Sequence, residues 1–502
     1  MTTHPPLPSL LPPRSLALSW RPTPTRLAAA ALVAVSSMAL AGPALAAPGV
    51  AAPAEVTSDA AQREATALTV YNTDLGLVKE RRRITLPRGV ARLSWREVSG
   101  QMRPETALLR SVGGAPVTLL EQNFDFDLLT PQKLLDKSVG RTVTVLRTHP
   151  TTGLERAETA TVLSTEGGPV LRFADRIETG VPGRIVFDSV PPHLRDQPTL
   201  SVLLDAASAG TQTLELSYLT GGLSWQADYV ANLSADGRQM DLSGWVTLTN
   251  RSGVAYHDAQ LQLVAGSVNT VAAPKRLARA MAFDAVALAA PPPMAQEALL
   301  DYHLYRVERP TSIADQQTKQ LALLSASGVA VRREYLLAGS DHYYRDRHSG
   351  VVGHKLKPAV FMEYDNQGAQ LGKPLPAGVV RVYARDSQGA AQFVGEDRIG
   401  HTARNETVRL RLGQAFDISA DRVQTSYKKL GDTSAESAWR IELRNAKDEA
   451  VTVRVQEPIP GDWELVQHSQ PGRKVSAQLA QWDVAVPAGG QAVLTYTVRA
   501  RW

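Results

Sequence analysis

From Leu68 to Trp502 apolar side chains recur at every second position in short runs, with glycine or proline between the runs. A β-strand turns successive side chains to opposite faces, so this period marks strands with one buried face, and the Gly/Pro punctuation marks the turns between them. Leu68-Thr69-Val70-Tyr71 precedes Leu75-Gly76-Leu77-Val78, and Pro87-Arg88-Gly89 turns the chain before Ala91, Leu93 and Trp95 alternate with polar residues. Leu214, Leu216 and Tyr218 alternate, as do Trp245, Thr247 and Thr249 against Val246 and Leu248. The pattern predicts a mainly β chain of several small antiparallel β-sandwich or barrel-like domains, with very little helix.

One helix interrupts the pattern. Thr130 supplies an N-cap, Pro131 suits the first helical position, Leu134 and Leu135 give an apolar contact, and Gly140 ends it. A chain of 502 residues exceeds the roughly 250–300 at which one core stops growing, so more than one domain is expected. An N-terminal β domain is read over 67–198, with a small barrel-like unit at 140–188. A central β domain is read over 199–435, carrying an Ala/Pro-rich insertion at 271–298. A C-terminal immunoglobulin-like sandwich is read over 436–502; only four or five of its strands are visible, so it borrows strands from upstream.

Residues 1–46 read as a signal peptide. Arg26 precedes an apolar run from Leu27 to Leu40, and Ala44-Leu45-Ala46 is a small-residue cleavage site with Ala47 as the first mature residue. A flexible lead-in follows over 47–66. No twin-arginine pair occurs, so the general secretory route is implied, with the periplasm, or the periphery of the outer membrane, as the destination. No later stretch reaches about 18 uninterrupted apolar residues, so no transmembrane helix is expected after cleavage.

Charge and cysteine content exclude several classes. The chain holds 54 Lys+Arg against 49 Asp+Glu, a net +5, and three of those charges are Arg14, Arg21 and Arg26 of the leader. The remainder is close to neutral and gives no electrostatic argument for nucleic acid. There is no cysteine. Disulfides, thiolate metal sites, thiol nucleophiles and a lipoprotein anchor are therefore ruled out.

Candidates for a polar site fall in two places. Asp341-His342-Tyr343-Tyr344-Arg345-Asp346-Arg347-His348 puts imidazole and carboxylate close together; in a strand His342, Tyr344, Asp346 and His348 would share a face, as a divalent metal requires. Arg345 and Arg347 in the same run oppose a cation, and a solvated strand edge or loop is the simpler account. Glu396 and Asp397 beside His401 offer groups for general acid–base work if a cleft gathers them, although a hairpin bearing a salt bridge accounts for them too. Trp463, after the turn Pro460-Gly461-Asp462, is the candidate for stacking a ligand such as a sugar. Asp125 and Asp127 lack the spaced oxygens and glycine of a calcium loop. Gly221-Gly222-Leu223-Ser224-Trp225 is not a nucleophile elbow, since Gln226 stands where that motif needs glycine; a tight turn with an aromatic packed over bare backbone is the expected role. No phosphate-binding loop or dinucleotide fingerprint is present. The sequence assigns no catalytic residue, no metal ligand and no cofactor.

Leu219 to Trp225 with Asp228 and Tyr229, Gly395 to Thr402, Gly413 to Asp417 and Pro460 to Glu464 resemble blocks of a bacterial exported family, domain of unknown function 4139. The resemblance spans roughly residues 200–502. It implies a β-rich fold and export, and brings no activity.

Taken together these residues point to a non-enzymatic structural, scaffolding or binding protein whose partners are envelope proteins or polysaccharide. A hydrolase of envelope polysaccharide or peptide is the alternative. An outer-membrane β-barrel is the second alternative, suggested by the terminal aromatic Trp502 in line with Leu494, Tyr496 and Val498.

Overall fold

The structure is a computed structural model that describes residues 53–502 except 126, 181–182, 192–193, 267, 270–293 and 301. The leader, its cleavage site, the lead-in up to residue 52 and most of the Ala/Pro-rich insertion lie outside the described residues.

Six sheets carry the described chain. Sheet I orders Ala54–Ser58, Gly89–Arg96, Thr199–Ala206 and Val117–Asp125. Sheet II orders Ile177–Thr179, Val170–Arg172, Glu155–Ser164, Thr142–Thr148 and Arg184–Val186. Sheet III orders Ala295–Leu299, Tyr302–Arg306, Tyr256–Ala265, Arg63–Tyr71, Gly76–Leu86, Gly210–Thr220 and Leu108–Gly113, with Thr311–Ile313 also paired to Tyr256–Ala265. Sheet IV orders Gln317–Ala330, Gln239–Asn250, Leu223–Leu233, Gly378–Arg385 and Ala391–Ile399. Sheet V orders Thr407–Gln414, Ala359–Asp365, Arg332–Ala338, Val451–Pro458, Leu479–Val486 and Arg473–Ser476. Sheet VI orders Val351–Leu356, Ile418–Gly431, Ser434–Asn445, Gln491–Arg501 and Asp462–His468.

The chain is mainly β with several sandwich-like units, as the alternation implies. Sheets II and VI are wholly antiparallel. Sheets I, III, IV and V each contain one parallel pair, for example Leu223–Leu233 beside Gly378–Arg385. Parallel partners need a long crossover, so no local turn signals them. None of the six sheets closes on itself among the described residues. Sheet II, where a barrel-like unit was expected, is an open path ending at Ile177–Thr179 and Arg184–Val186.

Three apolar cores follow among the described residues. The largest gathers Leu68, Trp95, Leu216, Tyr229, Leu248 and Leu263 from sheets I, III and IV. A second, between sheets V and VI, is built on Trp439, Ile441, Val453, Val455, Trp482 and Val498. A small third core under sheet II includes Leu135 of the helix Pro131–Asp136, which Thr130 caps through its hydroxyl and the Lys133 amide. Sheet V spans two cores: Met362, Tyr364, Val408 and Leu410 join the first, while Tyr335, Leu337 and Val453 join the second.

The strand Gly76–Leu86 shows how alternation sorts even charged residues. Leu77, Lys79, Arg81 and Arg83 face outward, while Val78, Glu80, Arg82 and Ile84 are buried. Arg82 donates to Glu80 (2.8 Å) and to the carbonyls of Ser58 (3.0 Å) and Arg96 (2.8 Å), and its guanidinium lies 4.5 Å from the centre of the Trp95 ring. Outward faces carry ion-pair rows, such as Arg147–Glu158–Arg176–Glu178 on sheet II and Asp421–Arg444–Glu442–Arg440 on sheet VI. A lipid-facing sheet needs an apolar outer band instead.

Candidate functional site

The run Asp341–His348 does not take the strand form in which His342, Tyr344, Asp346 and His348 would share a face. Asp341–Tyr344 is a 3-10 turn, because Tyr344 swings into the second core and breaks the alternation. The Tyr344 hydroxyl donates to Glu457 Oε2 (2.9 Å) and lies 2.9 Å from the Tyr496 hydroxyl. Glu457 Oε1 accepts from Arg422 Nη2 (2.5 Å), and both residues are inaccessible to solvent. Burial pushes the Glu457 carboxyl up, and Arg422 pulls it back. His342 is exposed, with Nδ1 hydrogen-bonded to the Ser340 hydroxyl (2.5 Å). His348 packs its ring 6.2 Å from Trp439 and 6.4 Å from His342, and its backbone amide donates to Gln424 Oε1 (2.8 Å). Asp346 is exposed, and its carbonyl accepts from Gln424 Nε2 (3.1 Å). The two histidines are thus neighbours. Among the described residues no group of three His, Asp or Glu side chains is placed to hold a metal ion.

The second cluster is pulled apart by the strand Ala391–Ile399, which turns Glu396 and Asp397 to opposite faces. Glu396 pairs with Arg381 (3.2 Å), which also holds Asp228 (3.0 Å) across sheet IV. Asp397 accepts from the backbone amides of Arg398 (2.8 Å) and Arg411 (2.7 Å). His401 Nδ1 accepts from the Ala377 amide (3.2 Å), and partial burial together with His303 holds its imidazole below the usual range. Trp463 donates its indole N–H to the Ala477 carbonyl (2.8 Å), and Lys474 Nζ lies 4.6 Å from the centre of its ring. One face of that ring is therefore covered. Asp125 pairs with Arg195, and Asp127 pairs with Lys133 of the short helix and with Lys137, which caps its C-terminus.

Two polar groupings join residues too distant in sequence to be read together. On sheet V, Arg409 bridges Glu334 (3.0 Å) and Glu363 (3.1 Å), and Arg454 bridges Glu334 (3.1 Å) and Asp483 (3.0 Å). Burial and a hydrogen bond with Glu334 push the Glu363 carboxyl up. Beside them Arg332 grips Asp365 through two nitrogens (2.8 and 3.0 Å) and Thr407 adds a third bond (2.7 Å), holding that carboxyl down at about 2. An acid with a depressed folded-state pKa stabilises the fold above its ordinary value and loses that contribution as pH falls through the depressed one. Asp365→Asn is therefore expected to lower the thermal midpoint at pH 7, and the gap from the parent should close between pH 4 and about 2. An equal gap at both ends of that range would remove the assignment.

On sheet III, Glu215 is nearly buried and binds Arg81 Nε (2.9 Å) and Arg110 Nη2 (2.6 Å). Hydrogen bonds from Arg110 and from Arg81 hold its carboxyl down. The only sequence signal was alternation: Glu215 lies between the inward Leu214 and Leu216, and Arg81 between Glu80 and Arg82.

The Gly221-Gly222 pair joins sheet III to sheet IV, ending Gly210–Thr220 and starting Leu223–Leu233. The Gly222 amide donates to Asp74 Oδ1 (2.9 Å), and its carbonyl accepts from the Arg251 amide (2.6 Å). Trp225 is buried, with its indole N–H donating to the Val264 carbonyl (3.2 Å) of sheet III. Tyr229 donates its hydroxyl to the Pro376 carbonyl (2.8 Å). The family described as a domain of unknown function, DUF4139, matches residues 214–502, more than half the chain, beginning within the strand that leads into this junction. The chain belongs to that family. Its DUF4139 region thus takes in all of sheets IV, V and VI and, from sheet III, Tyr256–Ala265, Ala295–Leu299, Tyr302–Arg306, Thr311–Ile313 and most of Gly210–Thr220. No curated protein matches the chain.

Proposed function

We propose that this DUF4139 protein is exported by the general secretory route and serves in the cell envelope as a non-enzymatic binding scaffold. The leader pattern over residues 1–46 supports export. The observation that carries the scaffold reading is the edge strand Ala391–Ile399 of sheet IV. Its second half leans on Thr407–Gln414, where Asp397 accepts from the Arg411 amide. Its first half pairs with no further strand among the described residues, and Phe393 there is 56 % exposed. An open edge of this kind offers backbone hydrogen bonds to an extended segment of a partner, with an aromatic anchor beside them.

The hydrolase alternative is favoured by one observation, the Glu334–Glu363 pair, since two nearby carboxylates with one pushed up are what acid–base cleavage uses. Both carboxylates are held by arginines on a sheet face, which suits a structural row better.

A photo-crosslinking residue at position 393 tests the scaffold reading. Release of the protein with the periplasmic contents, together with a discrete protein adduct through position 393, is the expected result. Release of soluble fragments from purified cell-wall polysaccharide, lost in Glu363→Gln, would put the hydrolase first.

A further inference from the structure

The outward face of sheet III carries two clefts that meet. One, of about 290 Å³, is bordered by Lys79, Arg81, Arg110 and Glu215, with Ala65 and Ala67 as its floor. The other, of about 360 Å³, is lined by Gln260, Gln262, Arg306 and Glu308 among others, and Gln260 borders both.

Strand register builds the first cleft. Ala67 pairs with Lys79 and Ala65 with Arg81, so two methyl side chains lie beside two long cations and leave room over the sheet. Arg81 pairs onward with Glu215, and Glu215 with Arg110. The nearly buried carboxylate sits between two guanidinium groups and binds both. It uses Nε of Arg81 and Nε and Nη2 of Arg110. Both Nη groups of Arg81 and Nη1 of Arg110 have no side-chain hydrogen bond among the described residues and so can serve a ligand. Lys79 is exposed and has no ion pair among the described residues. Three cations against one carboxylate leave two net positive charges here, although the chain without its leader is close to neutral. Fixing a guanidinium in advance lowers the entropy lost on binding, so Glu215 acts as a positioning residue for an anion clamp.

The second cleft differs in chemistry. The Gln260 side chain is exposed and makes no hydrogen bond among the described residues, and Arg306 is already paired with Glu297 (3.2 Å). Neutral amides beside a carboxylate and a neutralised guanidinium suit hydroxyl groups rather than a second anion.

We propose that the open face of sheet III binds a phosphorylated saccharide, with its phosphate on Lys79, Arg81 and Arg110 and its sugar hydroxyls on Gln260, Gln262 and Glu308. Tetrahedral phosphate presents several oxygens to separate donors, which three convergent cations satisfy and a flat carboxylate matches less fully. This site rests on the binding reading above, supplies its ligand class, and lies on a different sheet from the Phe393 edge.

The test is calorimetric titration of the full chain with glucose 1-phosphate, inorganic phosphate and glucose at low salt. Glucose 1-phosphate should bind most tightly, phosphate more weakly and glucose not detectably, with affinity falling as salt rises. Lys79→Ala with Arg110→Ala should weaken glucose 1-phosphate about ten- to hundred-fold, the scale of lost charge-assisted bonds. Gln260→Ala, an exposed change, should weaken glucose 1-phosphate and leave inorganic phosphate unaffected. Co-sedimentation with phosphatidylcholine vesicles carrying a phosphorylated glycolipid assigns the saccharide to a lipid headgroup. Binding of free glucose 1-phosphate without co-sedimentation assigns it to a soluble source. Absence of phosphate-dependent binding, or binding unchanged in the double variant, overturns the site and leaves the scaffold reading standing. Binding followed by release of free phosphate overturns the non-enzymatic reading and leaves the site standing.

Discussion

Glu457→Ala is expected to cost the C-terminal sandwich about 3–5 kcal/mol, the scale for removing one partner of a buried ion pair. Glu457 and Arg422 lie in the core between sheets V and VI with no solvent access, joined at 2.5 Å. Without the carboxylate, Arg422 keeps a full charge in an apolar core and Tyr344 loses its acceptor. Burial pushes the Glu457 carboxyl up against the pull of Arg422, and taking both charges out of water offsets much of their attraction. The pair is therefore a poor source of net stability, although breaking it is costly. Replacing both partners, Arg422→Met with Glu457→Leu, should leave stability within about 1 kcal/mol of the parent, because the apolar pair restores volume without desolvating charge. Amide hydrogen exchange in Ile418–Gly431 and Val451–Pro458 separates this core from the other two. Faster exchange in the single variant and near-parental exchange in the double is the expected pattern. A single variant that costs less than about 1 kcal/mol would mean that water reaches the pair.

That pair shows where sequence reading reaches its limit. Alternation placed the strands and most of their inward faces, because a two-residue period is local. Glu457 follows Val451, Val453 and Val455 in step, and so is inward by the same rule; Arg422 lies between Ala420 and Gln424 on its strand. The rule gives the face and not the partner, since 35 residues separate the two charges. Glu80 and Arg82 were hidden for a related reason. They sit in the run Lys79-Glu80-Arg81-Arg82-Arg83, which looks solvated throughout until every second charge is seen to meet Trp95, Ser58 and Arg96. At Asp341–His348 the sequence left a strand edge or a loop open, and one inward tyrosine, Tyr344, goes with a turn. Glu396 and Asp397 could act together only if a cleft gathered them, and adjacency in a strand puts their side chains on opposite faces instead. The Lys79, Arg81 and Arg110 cleft had no sequence signal beyond three cations on two strands, because Glu215, which organises it, comes from a third.

Gly222→Ala is expected to destabilise the junction of sheets III and IV by about 2–5 kcal/mol, combining left-handed backbone strain with overpacking. Gly222 has φ +76°, and a Cβ there would lie 2.7 Å from both the carbonyl carbon and the carbonyl oxygen of Arg251. That carbonyl cannot retreat freely, because the Arg251 amide donates to Gly222 and its oxygen accepts from Gln101 Nε2 (2.6 Å). The turn is also tied to Asp74, in the connection that leads into Gly76–Leu86, so a shift at residue 222 moves three segments at once. Ser224→Ala, two residues on, should change stability by no more than about 0.5 kcal/mol, as an ordinary half-buried strand position does. The contrast decides what the Gly-Gly-Leu-Ser-Trp block is for. Denaturant midpoints that fall for Gly222→Ala and hold for Ser224→Ala give it an architectural role, passing the chain between stacked sheets under Trp225. Equal, small effects would mean that the turn relaxes around a Cβ, and that the block must be explained by chemistry at Ser224 instead.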